Sequence, residues 1–355
     1  MQPIQANGYS IHFGTPGYET LNQFLREGQF TTLFVLADSN TNEHCLPYFL
    51  SLIETELAIE IIEFDAGEEV KNIESCIEIW NVLTELGADR KSLVLNVGGG
   101  VVTDMGGFAA ATFKRGIPFI NIPTSLLAMV DASIGGKTGV DLGPLKNQVG
   151  VIAAPEMVLI DTVFLDTLPQ REMLAGLAEM LKHGLIADKS YWEKFLDLKN
   201  LDSADLGGLI YESIVIKNQI VLQDPEEKGA RKALNFGHTL GHAIESLFLE
   251  NPERGIVLHG EAVAAGMLME SHLSMSMRLL SAEEYFQVRY VIKELYEDIL
   301  LDENDLEKLV AFMAHDKKSE LGTPRFTLLN GIGHYEINQI VDNERIANAV
   351  RSYCP

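Results

Sequence analysis

The chain has 355 residues, 46% hydrophobic and 22% charged, which suits a globular protein with two domains that each bury a core. Its formal net charge is −24, from 51 acidic and 27 basic residues, so nucleic acid is excluded as a main partner, while a local Lys/Arg pocket could still capture a small anion. Residues 1–14 hold no basic segment followed by an apolar run, and no apolar stretch is long enough to span a bilayer, so neither a signal peptide nor a membrane span is expected. Cys45, Cys76 and Cys354 have neither disulfide-framework nor zinc-finger spacing, which points to a reducing cytoplasm.

Residues 32–38 (TLFVLAD) and 58–64 (AIEIIEF) read as strands, and 72–86 as a helix. A third strand, 92–97 (SLVLNV), runs straight into Gly98-Gly99-Gly100. Two more follow at 118–122 and 157–161. Such alternation, with apolar strands that lack a polar face, predicts a Rossmann-like, mostly parallel sheet covered on both sides. After Thr167-Leu168-Pro169 the pattern becomes helical, over 171–187, 206–222, 231–249, 259–280 and 282–295. The expected organisation is an α/β N-terminal domain, residues 1–170, and an all-α C-terminal domain, residues 171–355.

Several motifs interrupt this scaffold. The turn Gly98-Gly99-Gly100, with Asp104 just inside the following helix, places a helix N-terminus where a pyrophosphate could sit. The usual fingerprint is absent, as is the acid about 20 residues beyond it. Asp38, at the end of the first strand, could hold a ribose with Asn40, and Glu68 and Lys71 could join them. The alternative is a tight strand-to-helix turn. In the glycine-rich stretch 116–147, Asp131, Lys137, Lys146 and Asn147 are costly charges and polar groups unless paired or functional. Asp131 and Lys137 read as a functional pair or a structural ion pair, and Arg115 alone as a surface charge.

Glu179 and Lys182 lie three apart on an apolar helix, as an ordinary exposed pair would. Arg231, Asn235, His238 and His242 step along the 231–249 segment as one polar stripe, after Lys217 and the acids Asp224, Glu226 and Glu227. His238 and His242 are helically stacked and His259 follows, a spacing that suits a divalent metal completed by a carboxylate from elsewhere. Histidines that merely pack a helix are the other reading. The dibasic loop Asp316-Lys317-Lys318 precedes a strand-like segment, 325–329.

Together the segments GGGVVTDMGGFAA, PTSLLAMVDASIGGKTGVD, LAEMLKHGLI, LNFGHTLGHAIE and LHGEAV resemble 3-dehydroquinate synthase, of the sugar-phosphate cyclase superfamily, in order over residues 30 to 330. The resemblance implies zinc, or cobalt, held by Glu179, His238 and His259. It implies NAD bound by Asp38, Asn40, Glu68, Lys71, Gly98, Gly99, Gly100, Asp104, Thr124, Ser125 and Thr167, with Lys137 and Lys146 close by. The implied substrate is the phosphorylated sugar acid 3-deoxy-D-arabino-heptulosonate 7-phosphate. It would be met by Asp131, Lys137, Lys146, Asn147, Lys182, Lys217, Arg231, Asn235, His242 and Lys317 or Lys318. Arg115 would reach the phosphate from a neighbouring subunit of a homodimer. The implied chemistry is transient oxidation by NAD, loss of phosphate, re-reduction and intramolecular aldol closure. His242 is the expected proton relay, with Glu245 to orient it. A sedoheptulose 7-phosphate cyclase and a metal-dependent alcohol or glycerol dehydrogenase are the rival readings. His183 and Pro225 depart from the family pattern, as does a longer interval between His238 and His259.

Overall fold

The computed structural model describes residues 1–143, 145–196, 203–302, 304–315 and 324–354. Its contacts divide the chain into two compact units, Met1–Met173 and Leu174–Pro355.

In the first unit the strands are β1 (Ile4–Gln5), β2 (Ser10–Phe13), β3 (Leu33–Asp38), β4 (Ile59–Phe64), β5 (Leu93–Gly98), β6 (Phe119–Pro123), β7 (Lys137–Leu142), β8 (Leu145–Ile152) and β9 (Met157–Ile160). Helices α1 (Gly14–Glu27), α2 (Ser39–His44), α3 (Leu46–Ser51), α4 (Ile73–Glu85) and α5 (Gly100–Thr112) alternate with them. Among the described residues seven strands form one sheet in the order β1-β2-β9-β6-β5-β3-β4, and only the β1–β2 pairing is antiparallel. The central strands β3, β5 and β6 are buried almost throughout, which is why they read as apolar runs and not as alternating ones. Asn96 and Asn121 are polar exceptions inside the sheet; the Asn96 Nδ2 donates to Asn121 Oδ1 at 2.9 Å. The N-terminal strands β1 and β2 and the antiparallel hairpin β7–β8 were not anticipated. In the hairpin, Asp141 and Lys146 are buried and paired, so the polar–apolar alternation that marks a strand is lost.

The second unit comprises α6 (Gln170–Ala187, whose first turn precedes the division), α7 (Lys189–Glu193), α8 (Ser203–Gln223), α9 (His238–Leu249), α10 (His259–Ser276), α11 (Ala282–Leu295), α12 (Asp305–His315) and α13 (Asn343–Tyr353). A two-stranded antiparallel ribbon, β10 (Phe326–Leu329) with β11 (Tyr335–Gln339), accompanies the helices. The expected helix over 231–249 is two pieces. Residues Ala230–Asn235 form a 3-10 turn, Gly237 adopts φ +80°, and α9 begins only at His238. A left-handed residue cannot continue a right-handed helix, so Arg231, Asn235, His238 and His242 do not form one stripe.

Close helix approach in this unit depends on glycine. A Cβ on Gly266 of α10 would lie 1.9 Å from the carbonyl oxygen of Gly237, and one on Gly260 would lie 2.0 Å from the carbonyl oxygen of Ala175. The first gap separates two backbones, and neither has a side chain that could turn aside. Gly266→Ala is therefore expected to destabilise the protein by about 1–3 kcal/mol, read as a lowered urea midpoint at unchanged m-value.

Candidate active site

In the first unit the sheet places two strand ends side by side. Leu36 of β3 pairs with Asn96 of β5, and two residues further on these strands end at Asp38 and Gly98. From β3 the chain moves outward to β4 and then returns to β5 on the other side, which makes this a topological switch point, where open α/β sheets bind ligands. Gly99 caps α5, and the Thr124 amide donates to the Gly98 carbonyl at 3.0 Å. Ser125 lies beside Gly99: a Cβ there would sit 3.4 Å from the serine Oγ. The Asp38 carboxylate accepts the Thr41 amide at 2.8 Å and caps α2, while Asn40 is exposed on that helix. Three expected cofactor residues, Thr124, Thr167 and Asp38, act on the electrostatics of one buried thiol, Cys45. Burial is the main reason that this thiol sits above the usual range.

A charged cluster lies in the same unit. The Lys71 Nζ donates to Asp104 Oδ2 at 2.7 Å and to Asn147 Oδ1 at 2.8 Å. Burial opposes the Lys71 charge, but Asp104, Glu68 and Asp141 outweigh it and hold the ammonium above the usual lysine range. Lys146 donates to Asp141 Oδ2 at 2.8 Å and pairs with Glu68. Asp141 was not anticipated. Its other oxygen accepts the Asn147 amide at 2.6 Å, and Asn147 has φ +52°. One carboxylate thus orients both residues at the tip of the β7–β8 hairpin. Asp131 lies in the π-helical turn Ala128–Ala132 and Lys137 opens β7, both half-buried. Arg115 is exposed, with φ +69°, after an equally left-handed Lys114.

In the second unit Glu179 and Lys182 are not an exposed pair. They form an ion pair at 0% and 1% exposure, because α6 is buried on all sides from Ala178 to Ile186. His238 Nε2 lies 3.5 Å and His259 Nε2 3.7 Å from Glu179 Oε1. Ligand bonds of about 2.0–2.2 Å in a tetrahedral zinc site separate donor atoms by about 3.3–3.6 Å, so the three groups fit a divalent ion. Tautomers agree with this. The Nδ1–H of His238 donates to the Phe236 carbonyl at 3.2 Å, and that of His259 donates to Glu245 Oε2 at 3.1 Å. Each ring then directs Nε2 toward Glu179. Burial pulls the His259 imidazole down, but Glu245 and Glu179 together lift it to about 10, a field that favours a cation.

Glu245 therefore serves His259. His242 stacks against both other rings, with centroids 5.2 Å from His238 and 5.9 Å from His259. His242, Glu245 and His259 form a second group of potential metal donors. Asn235 donates to Glu227 Oε1 at 2.9 Å, and the Arg231 guanidinium donates to the Pro225 carbonyl at 2.8 Å. Asp224 accepts the amides of Gly229 and Arg231 at 2.7 and 3.0 Å and so shapes this turn. His183, at a position where the family pattern differs, is buried and bonds Ser213 Oγ at 2.8 Å. Lys317 and Lys318 lie outside the described residues.

Among the described residues the buried basic side chains are Lys71, Lys146, Lys182, Lys217 and Arg231. All five are expected site residues. An acidic chain thus keeps its buried positive charge where anionic ligands are expected.

Family models described as 3-dehydroquinate synthase N-terminal and 3-dehydroquinate synthase C-terminal match residues 61–175 and 176–319. A 3-dehydroquinate synthase of Parabacteroides distasonis is 45% identical over 339 residues, 94% of each chain. The chain belongs to the 3-dehydroquinate synthase family. It is an enzyme of that family, a phosphate-eliminating cyclase. Solved structures agree in fold. A 2-deoxy-scyllo-inosose synthase complexed with carbaglucose-6-phosphate, NAD+ and Co2+ superposes with a TM-score of 0.86 at 27% identity, covering 99% of each chain. A 2-epi-5-epi-valiolone synthase of Streptomyces hygroscopicus subsp. jinggangensis, with NAD+ and Zn2+ bound, gives 0.84 at 26% identity, over 99% of this chain and 98% of that one. The family models and the 45% identical relative are all 3-dehydroquinate synthases, so neither the sedoheptulose 7-phosphate cyclase nor the dehydrogenase reading is favoured.

Asp141→Ala removes one acidic partner of the buried Lys146 and the acceptor for Asn147. Lys146 keeps Glu68, so the expected cost is about 1–3 kcal/mol, measured by urea unfolding.

Proposed function

We infer that this chain converts 3-deoxy-D-arabino-heptulosonate 7-phosphate to 3-dehydroquinate and phosphate, using NAD and a divalent metal, zinc or cobalt. The observation that carries this reading is the buried Glu179 with two imidazole Nε2 atoms turned toward it, in a chain of this family. When bound, NAD supplies a reversible hydride acceptor and the metal a Lewis acid that acidifies a substrate hydroxyl.

The protein's own groups have distinct parts. Glu179, His238 and His259 would hold the metal, with Glu245 fixing the His259 ring. Lys182, paired with Glu179, keeps a positive charge beside oxygens that lose protons. His242, packed against both ligand rings, is the proposed proton relay at the substrate. Asp131, Lys137, Lys146, Asn147, Lys217, Arg231, Asn235 and Lys317 are assigned to binding and orienting the substrate's carboxylate, hydroxyls and phosphate. NAD is assigned to Asp38, Asn40, Glu68, Lys71, Gly98, Gly99, Gly100, Asp104, Thr124, Ser125 and Thr167, with Lys137 and Lys146 adjoining. Arg115 is assigned to the phosphate of a neighbouring subunit in a homodimer. A cytoplasmic setting suits the three free cysteines.

The test is phosphate release by metal-stripped protein, with NAD and Zn2+ each added or withheld. Release that needs both and leaves no net NADH is the expected result; accumulating NADH would overturn the reading in favour of a dehydrogenase. His259→Ala should lose stoichiometric Zn2+ and turnover while keeping its far-UV circular dichroism. Full activity with Zn2+ still bound would remove His259 from the ligand set.

A further inference from the structure

One buried carboxylate of the second unit has no part in the reading above. Glu270, on α10, is 0% exposed. Its Oε2 accepts the Gly237 amide at 2.7 Å, and its Oε1 accepts the amides of Thr239 and Leu240 at 3.1 Å each. These donors are the N-cap, second and third positions of α9, where a helix leaves its N–H groups without an internal acceptor. Gly237 has no side chain with which to cap the helix. Glu270 therefore supplies the cap from another helix, and its charge faces the positive end of the α9 dipole. Gly266, one turn earlier on α10, leaves the space that this approach needs.

The first residue of α9 is His238. Its ring is oriented from the same backbone, since Nδ1–H donates to the carbonyl of Phe236. The amides that Glu270 holds thus flank the Cα and the ring partner of one expected metal ligand. The other imidazole, His259, is the first residue of α10 itself. We propose that Glu270 is a positioning residue of the metal site, which caps α9 from α10 and fixes His238 relative to His259. The inference rests on Glu179, His238 and His259 being the metal ligands.

The experiment compares the full-length wild type with Glu270→Gln and Glu270→Asp. Zn2+ affinity is read by competition with a chromophoric chelator, and ligand geometry by the visible spectrum of the Co2+ form. Loss of an outer partner of a metal ligand lowers affinity by about 10- to 100-fold, the loss expected for E270Q, with a smaller one for E270D and a changed Co2+ spectrum in both. A folded E270Q protein with wild-type affinity and spectrum would overturn the proposal. A further measurement needs no variant. If the cap positions His238, then Zn2+ must in turn tighten the cap, because coupling is reciprocal. Hydrogen exchange of wild-type peptides covering residues 236–241 should slow when Zn2+ is added, and unchanged exchange with Zn2+ bound would overturn the proposal. A wild type that takes up no Zn2+ would overturn the metal assignment, and this inference with it.

Discussion

Much of the second unit follows from one electrostatic requirement, the burial of the Glu179 carboxylate. Removing an ion from water costs several kcal/mol unless partners compensate it. Here the partners are Lys182, one turn along α6, and the imidazoles that open α9 and α10. Three helices must therefore come within side-chain reach of one atom pair. Gly260 against Ala175 and Gly266 against Gly237 make that approach sterically possible. Glu245 and Glu270 then tie each of α9 and α10 to the start of the other. Chemistry and packing are the same problem at this point in the chain.

The first unit applies the same principle with the opposite sign. There the costly groups are the cations Lys71 and Lys146, compensated by Glu68, Asp104 and Asp141. The interaction is polar, but it also locks the β7–β8 hairpin to the segment before α4 and to α5, because each partner comes from a different element. Both units thus spend ion pairs on geometry near expected ligands, and leave core stability to apolar packing such as that of Phe34, Leu36, Val94, Met105 and Phe119.

The elements that the sequence revealed best are those whose burial is uniform. The runs before Asp38 and Gly98 are apolar because both sheet faces are covered, and the glycines mark where strand becomes helix. Residues 137–152 were opaque for the converse reason, since Asp141 and Lys146 are inside and several of the apolar residues are outside. The break at Gly237 was equally hidden. Gly241, four residues later, sits within a regular helix, so nothing local distinguishes the glycine that needs a positive φ from the one that only needs space. His238 and His259 were legible as candidate metal donors, whereas the contacts of Glu245 and Glu270 depend on partners 14 or more residues away. Periodicity carries no trace of such partners.

The charged cluster of the first unit also has a temporal side. Lys146 and Glu68 are 78 residues apart in sequence, and Asn147 and Lys71 are 76 apart. At a synthesis rate of about 5–20 residues per second, Glu68 and Lys71 exist for roughly 4–15 s before their hairpin partners are made. During that interval Lys71 already has Asp104 and Glu68 as partners, whereas Glu68 still lacks Lys146 and Lys71 still lacks Asn147. The hairpin residues Lys146 and Asn147 are thus the last of the set to leave the ribosome, and they complete the cluster.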